Sequence, residues 1–530
     1  MPLKRISLGI LTIVLIAQAL VNLQVIYKAK VLRVCDEAHY LEGGLHIYYT
    51  MFDNYDGKSM GDMISEVMKI RKRFLSRPPA LFVFQAMAWR LVSFFDVWSE
   101  KPVIWLINTL FLFVLAFSCY GIGSLLCGKA PGLMAAVLTV SLPIIFQFSR
   151  TMMTDLPLTA LTCLSVYLLI KTDHFRSFLF SLLLGLALSI TQLTKETFVL
   201  YFLFPLLYYI YRSFVNGFDQ AACRNIIVCF AAVFLAILPV YLGPTGLFHY
   251  YCRLSQLSPI YPNSPLFYIK NFSVLLGYPI FIFTILLFIK SILNIRRMEK
   301  LLLLWFFAPL MVLSALPNQV LRFAMPILPA YCLIVSHELF KSRLNCLFKR
   351  LCMVVILSIS LFQFAVINYM HDSYPAWLRS PLASGIRSVF RTDKYYTINR
   401  GLLEVFKKEK VPRGQKKGVL CLFGLPQIFY PLEYKFIMKK MPFVLDCCIL
   451  ADGADAREPG TYNWESLLLG SDYLLDKDAG SIGSRGSRED IRGCFEKALM
   501  KHRELFEVIA YVDVPDDGSR VVVYRKKESL

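Results

Sequence analysis

The chain predicts an α-helical polytopic membrane protein with a small soluble α/β domain at its C-terminal end, and three observations carry that prediction. Of 530 residues, 56% are hydrophobic and only 18% are charged. Apolar runs recur from Ile6 to about Ile367, most of them 15–23 residues long, close to the ~20 residues a helix needs to cross a bilayer core of about 30 Å. From residue 371 to 530 the pattern turns to short alternating runs among mixed charges, 26 basic against 22 acidic.

The spans fall at about 6–27, 102–126, 130–147, 156–170, 176–193, 197–211, 225–243, 268–290, 301–316, 323–340 and 351–369. The start, MPLKRISLGILTIVLIAQAL, has the basic head and apolar core of a signal peptide. No convincing small-residue cleavage site follows before Lys28, which favours a retained anchor. One further run, Pro79–Phe95, carries Gln85 and Arg90 and spans about 17 residues, a length shared by spans and interfacial helices.

Charge parity decides how to place it. If 79–95 lies in the interface and Lys4 and Arg5 are inside, thirteen basic residues between Lys129 and Arg350 fall in inner loops, against Arg150, Lys195, Arg253, Lys270 and Arg322 outside. If it crosses, the two sets exchange sides and the cytoplasmic excess is inverted. The expectation is therefore about eleven spans, an inner N-terminus, and an outer side bearing both the first loop and the tail. A net charge of +20 then reads as loop charge in a membrane protein, and nucleic acid is not an expected partner.

Four regions follow: a first transmembrane helix (1–27), a first outer loop (28–101), a transmembrane bundle (102–370) and an outer soluble α/β domain (371–530). In the last, GVLCLFG, SDYLLDK and SRVVVYRKK read as strands and REDIRGCFEKALMKHRELF as an amphipathic helix. The fourteen cysteines are scattered without metal-ligand spacing. Those inside spans, such as Cys119, Cys163 and Cys229, read as small apolar packers, whereas Cys421, Cys447, Cys448 and Cys494 could pair on the outer side.

Polar residues at the outward span ends are the informative set. They are Asp36, Glu37 and His39; Arg150 and Asp155; Lys195 and Glu196; His249, Tyr250, Tyr251 and Arg253; and Arg322. Ionisable groups are costly at membrane depth, so such a set marks a functional site by default. Carboxylates and cations around one cavity suit transfer from an anionic donor, the cations holding a phosphate and a carboxylate taking a proton from the attacking hydroxyl. Plainer readings stand beside this one. Asp155 can cap the following helix, Lys195 and Glu196 can pair with each other, and Arg150 and Arg322 can snorkel to headgroups. The Tyr pair suits an interfacial belt.

The order DEAHY, RPPALFVFQAMAW, GKAPGLMAAVLTVSLPIIFQFSRTMMTDLPL, TKE and RFAMPILPA resembles the GT-C class of membrane glycosyltransferases. It is most similar to the bacterial group of protein O-mannosyltransferases and lipid A aminoarabinose transferases. The resemblance runs from Asp36 to about Ala330 and weakens in the tail. It implies a GT-C-like bundle with interfacial helices and a sugar donor linked through phosphate to a polyprenyl carrier. The acceptor would be a protein, lipid A or another glycan or glycolipid. It further implies inverting chemistry at the outer face of the bacterial inner membrane, with Asp36 as general base and Glu37 and Asp155 as the other catalytic carboxylates. Arg322, Lys195 and Arg150 would bind the donor phosphate. His249, Tyr250, Arg253 and Tyr261 would belong to a loop over the substrate. No cofactor is demanded, although Asp36 and Glu37 could hold a divalent cation. The rival reading is a transporter or a flippase for lipid-linked sugars, which usually shows inverted repeats and mid-membrane charges; here no repeat stands out.

Overall fold

The computed structural model describes residues 2–28, 35–53, 78–97, 99–217, 219–241, 264–293, 297–316, 319–342, short stretches between 345 and 359, 393–409, 411, 417–421, 441, 443–447, 471–477, 500–513 and 520–527. They form two compact units. The first comprises Met1–Lys28, Gly43–Cys252 and Pro259–Ile386, the second Ala29–Glu42, Arg253–Ser258 and Arg387–Leu530.

The first unit is helical. By length and composition, five described helices can cross a membrane: Ile6–Lys28, Glu100–Leu126, Phe198–Val215, Gln220–Leu238 and Leu321–Lys341. Five shorter apolar helices of 10–17 residues accompany them, Ala80–Ser93, Lys129–Val140, Phe178–Gln192, Tyr278–Leu293 and Lys300–Ala315. The span expected at 130–147 is broken, because the helix Lys129–Val140 ends at Ser141 and a short helix, Pro143–Phe148, restarts after extended Leu142. Pro143 opens that second piece, where its missing N–H is harmless. Most of the span expected at 351–369 lies outside the described residues. The ambiguous run near residue 79 forms a helix of 14 residues, Ala80–Ser93, about 21 Å long and too short to cross a bilayer core unaided. It buries Phe82, Gln85, Ala86 and Trp89 and exposes Val83, Met87 and Leu91.

The polarity of this unit suits lipid. Large apolar side chains point outward, Leu235, Leu286 and Met311 among them, whereas Asn22, Asn108, Arg150, Asp155 and Asn225 are buried. Between helices in lipid, small residues permit close backbone contact. A Cβ at Gly123 would lie 2.5 Å from Gly132 Cα, so the helices Glu100–Leu126 and Lys129–Val140 touch nearly backbone to backbone. Their turn passes through Gly128 at φ 103°, a conformation glycine adopts freely. The turn after helix Asp155–Lys171 is stranger, with Asp173, His174 and Phe175 all at positive φ.

The second unit contains a five-stranded sheet in the order β2-β1-β3-β5-β4. The strands are β1 (Lys417–Cys421), β2 (Phe443–Cys447), β3 (Tyr473–Lys477), β4 (Phe506–Asp513) and β5 (Arg520–Lys526). β1 pairs in parallel with β2 and β3, and β5 pairs antiparallel with β3 and β4. Helix Asp393–Lys408 covers the sheet, burying Leu402 and Phe406 with Val419, Phe443, Tyr473, Leu475, Val521 and Val523. Beside this core the Tyr473 hydroxyl donates to Glu409 Oε2 at 2.7 Å. Burial and the neighbouring Glu409 carboxylate push that phenol well above its ordinary range. The three expected strands are present; β2, β4 and the helix were not anticipated, and most of the helix expected from Arg488 lies outside the described residues. Strand register sets Cys421 opposite Cys447.

Candidate active site

Three of the expected site residues meet within the first unit. Asp155 opens the helix Asp155–Lys171, where a carboxylate is favoured by the helix dipole. It does not act as the cap: Thr154 holds that position, and the Asp155 side chain turns elsewhere. Lys195 lies in the tight turn between helices Phe178–Gln192 and Phe198–Val215. Its amide is bonded back to Thr191 O at 3.1 Å and its carbonyl accepts from Phe198 N at 3.2 Å, so its Cα is fixed. From there Lys195 Nζ reaches Asp155 Oδ1 at 2.8 Å. Arg322 sits in the 3₁₀ segment Leu321–Ile327, and its Nε lies 4.0 Å from Asp155 Oδ2.

This geometry is held from several sides. Phe323 underlies both cations, with Lys195 Nζ 4.8 Å and the Arg322 guanidinium carbon 5.9 Å from its ring centre, distances at which the ring quadrupole attracts a cation. The Tyr201 hydroxyl donates to Phe323 O at 2.7 Å and the Tyr268 hydroxyl to Val320 O at 3.2 Å. Gln319 accepts from Ser264 N and donates to Ser314 O, both at 3.0 Å. The segment bearing Arg322 is thus pinned on each flank. On the Lys195 side, Ala80 N donates to Leu193 O at 2.9 Å, tying the short helix Ala80–Ser93 to the same turn.

Asp155 is 2% exposed in its side chain, Lys195 15% and Arg322 25%. The pairing of Lys195 with Asp155 replaces the simpler expectation of a Lys195–Glu196 pair. Arg150 also departs from the plainer reading. It is only 4% exposed, and its Nε donates to Asn22 Oδ1 at 2.8 Å rather than extending to a headgroup. Asn22 in turn donates to Ser149 Oγ at 2.9 Å, and Gln18, one turn earlier, donates to Val140 O at 3.0 Å. Asn108 bonds Thr151 O at 2.9 Å from a third helix. Sequence reasoning missed Asn22, Gln18 and Asn108. Two amides four residues apart on one face of an otherwise apolar helix were the available signal.

The acidic pair opens the helix Cys35–Tyr48, whose residues to Glu42 belong to the second unit. Glu37 is buried, and the Asp36 side chain lies outside the described residues. Farther along, Gly43 and Gly44 face the helix Ala80–Ser93, where a Cβ on Gly44 would collide with Gln85. Only glycine permits that approach. His249, Tyr250, Arg253 and Tyr261 fall in the undescribed stretch 242–263. Among the described residues no group of three or more His, Cys, Asp and Glu is placed to hold a metal.

Residues 76–242 match the family model described as dolichyl-phosphate-mannose-protein mannosyltransferase, a segment that includes Arg150, Asp155 and Lys195. Over the whole chain, the fold is similar to that of ArnT from Cupriavidus metallidurans in the apo state, with a TM-score of 0.60 at 12% identity and 97% of each chain covered. The same protein bound to undecaprenyl phosphate matches equally, with a TM-score of 0.60, 12% identity and 97% of each chain covered. The archaeal oligosaccharyltransferase AglB from Archaeoglobus fulgidus, in complex with an inhibitory peptide and a dolichol-phosphate, gives 0.53 at 12% identity, covering 99% of this chain and 74% of that one. No curated protein sequence matches. The family likeness thus lies in residues 76–242, and over the chain as a whole what is shared with ArnT is the fold.

Proposed function

We propose that this protein transfers a sugar from a polyprenyl-phosphate-linked donor to a hydroxyl acceptor at the outer face of the membrane, with inversion. The observation that carries the reading is the close set of Lys195, Asp155 and Arg322, two cations at 2.8 and 4.0 Å from one buried carboxylate. Fixed cations in a water-poor setting stabilise negative charge as it develops and need no reorganisation to do so. In this chemistry that charge appears on the departing lipid phosphate. A phosphate leaves without being protonated, so a single base suffices, unlike the paired carboxylates of glycoside hydrolysis.

Asp36 is the proposed base, standing at the start of its helix with Glu37 beside it. It accepts the proton of the acceptor hydroxyl as the oxygen bonds to the anomeric carbon. Lys195 and Arg322 receive the phosphate, and buried Arg150, oriented by Asn22, adds a third positive charge on this side of the bundle. Support for the donor class comes from the family match of residues 76–242 and from the lipid phosphates bound by ArnT and AglB. The sugar and the acceptor are set by loops of low resemblance.

The test is direct. Purified protein in detergent is given polyprenyl phosphates bearing different labelled sugars, and transfer to candidate acceptors is followed. Turnover with one donor is expected, and Asp36→Asn should abolish it while leaving the thermal transition intact. Near-normal turnover in that variant would sink the assignment of the base. No stabilisation of the protein by any polyprenyl phosphate, which binding would produce by mass action, would sink the transferase reading itself.

A further inference from the structure

At the end of the helical unit away from Asp155, four helix ends converge on one turn. The helix Asp155–Lys171 carries the chain about 24 Å from Asp155 to Lys171, and residues 172–177 lead into the helix Phe178–Gln192. Asp173, His174 and Phe175 stand there at φ 48°, 59° and 63°, a left-handed conformation with a steric cost for any residue but glycine. Buried bonds hold the turn in place. Fully buried Asn225 donates to Phe175 O at 2.8 Å and to Arg176 O at 3.2 Å. Ser213 donates to His174 O at 2.9 Å, and the Tyr209 hydroxyl to Ile170 O at 3.1 Å.

The turn gathers cations. Segments 171–177 and 212–225 contain Lys171, Arg176, Arg212 and Arg224 against Asp173 and Asp219. Arg176 donates to Asn216 O at 3.4 Å, Arg224 Nε to Asn225 Oδ1 at 3.5 Å, and Lys171 Nζ lies 5.0 Å from the Phe180 ring centre. Asp219 accepts from Ala222 N at 2.7 Å at the start of the helix Gln220–Tyr241 and stands 3.9 Å from Arg176. Among the described residues, Lys171, Arg212 and Arg224 have no carboxylate within ion-pair reach. Lys171 and Arg212 occupy the last turns of their helices, where the dipole favours a cation. Arg176 and Arg224 stand near helix starts instead, where the dipole gives a cation no support. Helix ends therefore do not account for the set. An apolar stripe leads to it along the helix Phe198–Val215, where Val199, Leu203, Leu207, Tyr211 and Phe214 recur at steps of three and four and are each 39–62% exposed.

We infer that this end of the unit binds the phosphate of an acidic phospholipid, with the acyl chains lying along the stripe. The excess of cations answers a phosphate, and the stripe answers acyl chains. A soluble anion would leave the stripe unused, and a zwitterionic headgroup would bring its own cation to the cluster. Because the turn is already fixed, ordering on binding falls on side chains alone. The site stands apart from Asp155, Lys195 and Arg322 and does not depend on the transferase reading.

Purified protein in non-ionic detergent is titrated with phosphatidylglycerol, phosphatidylcholine or soluble glycerol 3-phosphate, with retained lipid counted by native mass spectrometry and the thermal transition followed alongside. Phosphatidylglycerol should bind saturably and raise the midpoint, and the other two should bind at least about tenfold more weakly. Arg176→Gln combined with Arg212→Gln should weaken phosphatidylglycerol binding about thirtyfold. Lys129→Gln combined with Lys300→Gln removes the same charge at exposed positions elsewhere in the unit and should alter binding by less than about twofold. Equal losses in the two double variants would reduce the site to general surface charge and overturn the inference. Equal binding of phosphatidylcholine or of glycerol 3-phosphate by the wild type overturns it as well, and that comparison decides even if the arginine variant does not fold.

Discussion

Two clusters within the helical unit have the same charges and different surroundings. At one end Asp155 meets Lys195 and Arg322; toward the other end of the segment Leu321–Lys341, Glu338 meets Lys290 at 2.9 Å and Lys341 at 4.0 Å. Each is a buried carboxylate between two cations. Lys290, however, is 50% exposed and Lys341 20%, and both stand in the last turns of their helices, where cations answer the helix dipole in any case. Lys195 and Arg322 project instead from a bonded turn and a pinned 3₁₀ segment over the ring of Phe323. Charge count does not separate the two clusters. What separates them is that Lys195 and Arg322 rise from a bonded turn and a pinned segment over one ring, while Lys290, the nearer partner of Glu338, stands half exposed at a helix end, where an ion pair is worth little.

The contrast breaks most sharply if one cation is removed from each cluster. Arg322→Met should lower transfer from a polyprenyl-phosphate donor by on the order of 10²–10³-fold, the cost of losing one preorganised stabilising group. Lys290→Met should stay within about twofold, a change that carries less than about 0.5 kcal/mol. Equal losses in a transfer assay would show that position, not fixation, was misjudged. Next in size, Glu338→Gln should lower thermal stability by about 1 kcal/mol, the buried-carboxylate penalty discounted for the half-exposed lysine, with little change in turnover; a scan of the thermal transition beside a rate measurement checks both. Tyr201→Phe sharpens the role of the scaffold. Losing its bond to Phe323 O should cost about 1 kcal/mol and appear as a several-fold rise in donor KM.

The smallest expected effect is one of pH and belongs to the turn after Lys171. His174 stacks on Tyr209 at 4.8 Å, and its burial holds its pKa below the ordinary value. Its neutral form is thus favoured in the fold, the unfolded chain binds more protons near its reference pKa of about 6.5, and stability is lost as pH falls through that value. A slightly lower thermal midpoint at pH 5.5 than at pH 7, flattened in His174→Asn, is the outcome to look for.

Much of this was legible in the sequence because charges are scarce in it. Asp155, Lys195 and Arg322 stood out against apolar surroundings, and membrane cost gave a physical reason to group them. Their partners did not stand out. Tyr201, Tyr268 and Gln319 look like ordinary span-end residues, and only the tertiary approach of distant segments brings Tyr201 to Phe323 O, Tyr268 to Val320 O and Gln319 to Ser264 N. Asn22 and Gln18 were hidden for a related reason: a neutral amide barely lowers the hydropathy of a span. Span lengths erred where apolar content runs through a break, as at Ser141–Pro143, since hydropathy measures solvent preference and not backbone continuity. In the tail, β1, β3 and β5 were found where turn residues flank them, whereas β2 was missed between segments without such punctuation and β4 because it begins at Phe506, where the expected helix ends.

The bond between Asn22 and Ser149 joins residues 127 apart, and that separation is also an interval of time. At a synthesis rate of roughly 5–20 residues per second, the first helix waits on the order of ten seconds for Val140, Ser149 and Arg150 to emerge. During that wait Gln18 and Asn22 face the bilayer or the insertion machinery without their final partners. The first helix therefore enters the membrane incompletely satisfied and is locked there by the hairpin that follows. Exchanging it for a generic apolar anchor would remove the amide that receives Arg150 Nε.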